Sequence, residues 1–239
     1  MSAESASFLQ IAENINFLNA DIERIKKEHH IDREITVLAA TKTVPPEKIN
    51  YAIDHCGIRV IGENRADELV SKYDAVHKDK AELHFIGALQ SNKVRQIIDK
   101  VSLIHSLDRL SLAKEIDRQA KIHGKVMDCL IEINSGHEFA KSGVMPEDFE
   151  DFLEQIDKFD SISVRGIMTI APNCEKKDEY CKYFSKTYQL FIDILQKKHH
   201  NIDIPILSMG MSGSYEQAIL CGATMIRPGS LIFGQRSYH

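Results

Sequence analysis

The sequence predicts a (β/α)8 barrel, an α/β fold in a single domain over residues 1–239, and three observations carry that expectation. Short apolar segments alternate with amphipathic ones along the chain. Eight of the apolar segments are rich in β-branched residues with little polar alternation, as parallel strands covered on both faces require. No low-complexity segment, Pro/Ser-rich linker or shift in composition marks a second domain. An open doubly wound sheet is the rival, and it usually needs fewer strands.

A helix opens the chain within residues 1–30. Phe8, Ile11, Ile15, Leu18, Ile22 and Ile25 recur there at steps of three and four, one apolar stripe suited to packing on the barrel. Strands are expected at 35–40, 58–62, 83–89, 101–105, 126–133, 162–170, 204–209 and 224–227. Between them, 46–55 starts with proline and stops at Gly57. Helical spacing recurs at 91–99, 111–122, 147–158 and 177–196, and a short helix is expected at 215–220. Only 231–239 follow the eighth strand, so the last helix should be missing and the opening helix should cover that part of the wall.

The net charge of −5 advertises no nucleic-acid or anionic-membrane partner. Apolar runs such as 126–133 are too short to span a bilayer. Residues 1–10 lack the basic start and apolar stretch of a secretory signal, so a cytoplasmic location is expected. Five scattered cysteines without a CxxC pair suit a reducing compartment and form neither a disulfide framework nor a zinc site. The pairs His29–His30 and His199–His200 lack metal-ligand spacing and are expected on the surface, so no metal is expected.

In such a barrel the chemistry sits at the C-terminal ends of the strands. Lys42 follows the apolar run Val37-Leu38-Ala39-Ala40. Partial desolvation there would lower its pKa and free the amine for a carbonyl, although a rim lysine reaching for water would look the same. Ser208–Ser214 (SMGMSGS) and Arg227–Ser230 (RPGS) follow the seventh and eighth strands, the usual phosphate site of this architecture. Glycines let backbone N–H groups approach a phosphate, and serines add donors. A Schiff-base lysine beside a phosphate site fits pyridoxal 5′-phosphate, or else a phosphosugar handled by an aldolase. Arg227, between the two, could face a pyridine nitrogen and keep it unprotonated.

The order of motifs resembles the pyridoxal phosphate homeostasis family (YggS/PROSC) over about residues 35–238. Ala40-Thr41-Lys42-Thr43, Gly62-Glu63-Asn64, His84-Phe85-Ile86-Gly87 running on to Lys93, and Ile104-His105-Ser106-Leu107-Asp108 carry the likeness. So do Lys141-Ser142-Gly143, Arg165-Gly166-Ile167-Met168, Arg227-Pro228-Gly229-Ser230 and Ile232-Phe233-Gly234. The resemblance implies the barrel half of alanine racemase, with pyridoxal 5′-phosphate held as a Schiff base on Lys42. It also implies Asn64 beside the cofactor, Ser212, Gly213, Gly229 and Ser230 around its phosphate, and Arg227 at its ring nitrogen. Lys141 would bear on release or transfer. The implied role is a monomeric carrier or buffer of the cofactor, with apo-enzymes as recipients and no catalytic residue.

Three positions depart from the family's pattern. Val44 stands where many members carry a second lysine, Ser214 where an acidic residue is common, and Leu83 where Phe or Trp is usual. The rival function is an amino-acid racemase of the alanine racemase type, which needs an acid/base on each face of the α-carbon. In those enzymes the second comes from another domain, for which no room is expected before Ile35 or after His239. A Schiff-base aldolase would need a buried carboxylate beside the lysine, and Glu63 is the nearest candidate.

Overall fold

The computed structural model describes residues 3–138, 141–196 and 206–235. Eight parallel strands close a barrel in sequence order. They are β1 (Thr36–Ala40), β2 (Val60–Glu63), β3 (Glu82–Phe85), β4 (Leu103–Leu107), β5 (Met127–Ile133), β6 (Ile162–Thr169), β7 (Ile206–Ser208) and β8 (Met225–Ile226). Closure runs through β1 and β8, where Thr36 faces Met225 and Val37 faces Ile226. All eight expected strands are present, with bounds shifted by up to four residues. β4 starts two residues late because the Val101 N–H still closes a helical turn on Ile97 O at 3.1 Å. β3 stops at Phe85 because the chain turns at Gly87, where a Cβ would stand 2.1 Å from Asn64 O.

The helices are α1 (Ala3–Glu28), α2 (Pro46–Cys56), α3 (Ala66–Lys72), α4 (Val94–Ile97), α5 (Leu110–Ile122), α6 (Phe149–Ile156), α7 (Glu179–Gln196), α8 (Tyr215–Leu220) and α9 (Ser230–Phe233). Short 3-10 turns precede α4 and α6. Two helices were not expected. α3 buries only Ala66 and Leu69, too few positions for a periodic signal. α9 is a single turn in which Gly229 O accepts from the N–H groups of Ile232 and Phe233. The eighth helix is therefore shortened, not missing.

The stripe on α1 is buried: Ile11, Ile15, Leu18, Ile22 and Ile25 are each at most 5% exposed. Full burial of such a side chain contributes roughly 1.5–3 kcal/mol relative to exposure. The helix packs on α2, α8 and α9. Asn14 Nδ2 donates to Ile232 O at 2.9 Å, and the Tyr215 hydroxyl donates to Asp21 Oδ2 at 2.6 Å. α1 thus covers the β1–β8 side of the wall, as the short C-terminal element requires.

His29 and His30 are exposed at the end of α1, while His199 and His200 lie outside the described residues. Inside the barrel, Leu38, Ala40, Ile86 and Met225 form one apolar cluster, and Leu103, Leu130 and Met168 another.

Candidate functional site

Strand alternation, which sets Leu38 and Ala40 inside the barrel, continues past β1 to Lys42, half-buried at the rim. A cavity of about 220 Å³ opens beside it, lined by Lys42, Val44, Lys48, Gly229, Ser230 and Phe233 among others. Lys42 and the turn after β8 therefore share one site, a consequence of barrel closure.

The two glycine–serine turns meet at this place. Ser212 Oγ accepts from the N–H groups of Gly229 and Leu231, each at 3.1 Å. Gly229 lies against the end of β1, where a Cβ would stand 3.1 Å from Ala40 O and 3.3 Å from Ala40 Cβ. A side chain would fill that approach, so the glycine keeps the backbone N–H close to the cavity wall. Ser230 and Gly213 are exposed, and around Gly213 nothing lies within 4 Å of where a Cβ would stand. Ser214 is buried and braces its own turn, its Oγ accepting from Met211 N–H at 3.2 Å.

Asn64 follows β2 at the mouth. Its Oδ1 is buried without a hydrogen-bond partner among the described residues. A buried acceptor without a donor is unfavourable, and a ligand hydroxyl would satisfy it. The Lys42 amine, the Ser230 hydroxyl and the glycine turn at Gly229 fit a phosphorylated pyridine aldehyde, while the Gly229 and Leu231 N–H groups are taken up by Ser212 Oγ.

Arg227 is 4% exposed. Its Nη1 donates to Ser208 Oγ at 2.8 Å and its Nη2 to Thr169 O at 2.9 Å. Burial pushes its pKa down to about 10, with Glu132 opposing, so the guanidinium stays charged at neutral pH. Glu132 is pushed up to about 7, first by burial and then by Asp108, against Arg227 and Arg109.

Behind Arg227 runs a line of buried polar groups. Ser208 Oγ lies 3.2 Å from His105 Nδ1, His105 Nε2 lies 3.0 Å from His84 Nδ1, and His84 Nε2 lies 3.2 Å from Glu82 Oε2. Arg227 only donates and a carboxylate only accepts. With one proton per ring, each contact has a donor and an acceptor when Ser208 donates to His105, His105 to His84, and His84 to Glu82. Burial holds His105 well below the usual imidazole value, with the neighbouring His84 and Arg227 acting in the same direction.

Of the expected site residues, Lys42, Gly229 and Ser230 line the cavity, whereas Asn64, Ser212, Gly213, Arg227, Lys141 and Glu63 do not. Lys141, exposed on the loop after β5, pairs with Glu138 at 2.5 Å and does not line the cavity. Glu63, the candidate aldolase carboxylate, accepts from Thr41 Oγ1 at 2.7 Å and from Lys72 Nζ at 3.0 Å. Its Oε1 is thus engaged with α3, while its Oε2 is buried without a partner among the described residues. Sequence reasoning missed Lys48, which the first turn of α2 brings to the cavity, and Glu132; it had His84 only in a family motif and Ser208 only as the start of a phosphate turn. Their signal was period two on strands that otherwise look uniformly apolar.

A family model described as alanine racemase, N-terminal domain, matches residues 13–237. A pyridoxal phosphate homeostasis protein of Aquifex aeolicus is 46% identical over 84% of this chain and 87% of its own length. The chain belongs to the pyridoxal phosphate homeostasis family. A solved structure of a similar protein, PipY of Synechococcus elongatus with PLP bound, superimposes with a TM-score of 0.80 at 29% identity. That match covers 94% of this chain and 100% of PipY. Alanine racemase of Clostridium difficile, at 18% identity and a TM-score of 0.71, shares the fold. The match there covers 95% of this chain and 60% of the racemase. No helix among the described residues is long and apolar enough to cross a membrane. Val44, at the family's second-lysine position, is buried in the main core and forms an apolar part of the cavity wall.

Proposed function

We propose that this chain binds pyridoxal 5′-phosphate and serves its homeostasis in the cytoplasm as a carrier or buffer, supplying apo-enzymes without turnover of its own. The observation that carries this reading is the meeting of Ser212 Oγ with the Gly229 and Leu231 N–H groups beside the cavity of Lys42. When bound, the cofactor supplies an aldehyde and a phosphate dianion. The Lys42 amine would condense with the aldehyde carbon, its oxygen leaving as water, and Ser212, Gly213, Gly229 and Ser230 would hold the phosphate. Lys48 lines the same cavity, and its positive charge favours the dianion. Asn64 Oδ1 accepts from a ring substituent.

Arg227, still cationic, would face the ring nitrogen of the bound cofactor and keep it unprotonated, a weaker electron sink than a ring facing a carboxylic acid. A weak electron sink suits a protein that holds the cofactor without turning it over. Lys141, tied to Glu138 outside the cavity, is assigned to release.

Borohydride treatment of the cofactor-loaded protein should fix the cofactor on the peptide containing Lys42, and Lys42→Ala should abolish the adduct while the protein still folds. Recovery on another lysine would sink the assignment. Single enantiomers of alanine and serine should show no racemisation. Turnover on the order of 1–1,000 per second, lost with Lys42→Ala, would make the protein an enzyme.

A further inference from the structure

The turn that presents Lys42 is closed by the Val44 N–H donating to Thr41 O at 3.0 Å, and it is braced further from α3. Thr43 has φ 63°, the left-handed region that a β-branched residue rarely adopts. Its neighbours explain how it is kept there. The carbonyl of Thr41 accepts from Lys72 Nζ at 2.9 Å, and the N–H of Thr43 donates to Glu68 Oε1 at 2.5 Å. These two groups belong to the two peptide units on either side of the Lys42 Cα. Lys72 Nζ also bonds Glu68 Oε1 at 2.5 Å and Glu63 Oε1 at 3.0 Å, so all three ammonium donors have acceptors. Thr41 Oγ1 closes the cluster on Glu63 Oε1 at 2.7 Å.

Both peptide units around Lys42 thus end on one ion pair, one unit on its cation and the other on its anion. The side chains of Lys72, Glu63 and Glu68 are only 13%, 3% and 19% exposed, so water screens the pair weakly. Fixing both flanking peptides fixes the backbone angles of Lys42 and hence the direction of its Cα–Cβ bond. Attack of an amine on a carbonyl demands such alignment.

We propose that the Glu68–Lys72 pair of α3, anchored on Glu63, positions Lys42 for capture of the aldehyde. This rests on the assignment of Lys42 above. The pair touches no ligand; it acts through the backbone of Lys42. Loosening it should weaken covalent capture and leave recognition of the ring and phosphate alone.

The test compares two ligands on the full chain: pyridoxal 5′-phosphate and pyridoxine 5′-phosphate, which carries an alcohol in place of the aldehyde. Lys72→Met should bind the aldehyde about tenfold more weakly, equivalent to about 1.4 kcal/mol. Its affinity for the alcohol should stay within about twofold. Glu68→Gln keeps an acceptor for Thr43 but loses the charge, so it should show a smaller loss with the same selectivity. If Lys72→Met does not fold, Glu68→Gln alone decides by the same comparison. Equal weakening of both ligands would mean general loosening and would overturn the proposal, as would unchanged affinity for both. A wild-type protein that gives no borohydride adduct on Lys42 would instead defeat the assignment of Lys42 itself, a distinct result.

Discussion

Leu103, Leu130, Ile206 and Met225 fill the interior of the barrel with uncharged side chains, whereas two residues further along the same four strands stand His105, Glu132, Ser208 and Arg227. The period of two makes each pair share a face, so the lower layer is apolar and the layer at the mouth is polar. Both layers are buried, and they hold the fold by different means. The apolar layer works through volume and is indifferent to pH. The polar layer works through hydrogen bonds and charge, so it answers to protons and to whatever sits at the mouth.

The largest effect should come from breaking the apolar layer. Leu130 is 0% exposed, and Leu130→Ala should cost about 2–5 kcal/mol of unfolding free energy in urea. Cofactor bound per folded molecule should stay the same; a loss there would show that the layers are coupled.

Glu132 sharpens the contrast through pH. Its pKa is about 7 when folded against an ordinary 4.5, so the folded state holds the proton more tightly. That contribution is complete below about pH 4.5 and disappears as the pH rises through about 7. The difference corresponds to roughly 3 kcal/mol. His105 runs the other way, contributing above its unfolded value and losing that contribution as the pH falls. Glu132→Gln keeps His105, so the wild type should lose about 3 kcal/mol more than this variant on going from acid to pH ~8.5. Parallel stability curves for the two proteins would remove Glu132 as the source.

A smaller effect is expected from Ser208→Ala. It leaves Arg227 Nη1 and His105 Nδ1 without this partner, at a cost of about 1–3 kcal/mol. The visible spectrum of bound cofactor should shift as Arg227 moves, while the fraction fixed on Lys42 stays unchanged. An unshifted spectrum would mean that Ser208 does not set the position of Arg227.

All eight strands were legible because buried parallel strands leave uninterrupted apolar runs. That Lys42 and the two glycine–serine turns fall at one end of the barrel was legible because each directly follows a strand in the sequence. Their meeting through Ser212 and Gly229 was an expectation that barrel closure makes concrete. α3 and α9 were illegible because one or two turns bury too few residues to show a period. With α3 hidden, so was the role of Lys72, whose partners Thr41 and Glu63 are distant in sequence. The polar layer was hidden differently: His105, Glu132 and Ser208 are scattered polar residues in apolar strands, which looks like noise until eight strands are set side by side.

The line from Arg227 to Glu82 carries an arrow. Each group gives its hydrogen to the next, and the last acceptor is a side chain 67% exposed, at the first residue of β3. Reversing a link would set two lone pairs, or two hydrogens, face to face at a neighbour, and the donor-only guanidinium and acceptor-only carboxylate at the ends fix the direction of them all. The barrel interior is therefore an oriented chain with one end at the cofactor mouth and the other in water at the opposite face. A change of charge at Arg227 is felt along its whole length, and Glu82 is where solvent can answer it.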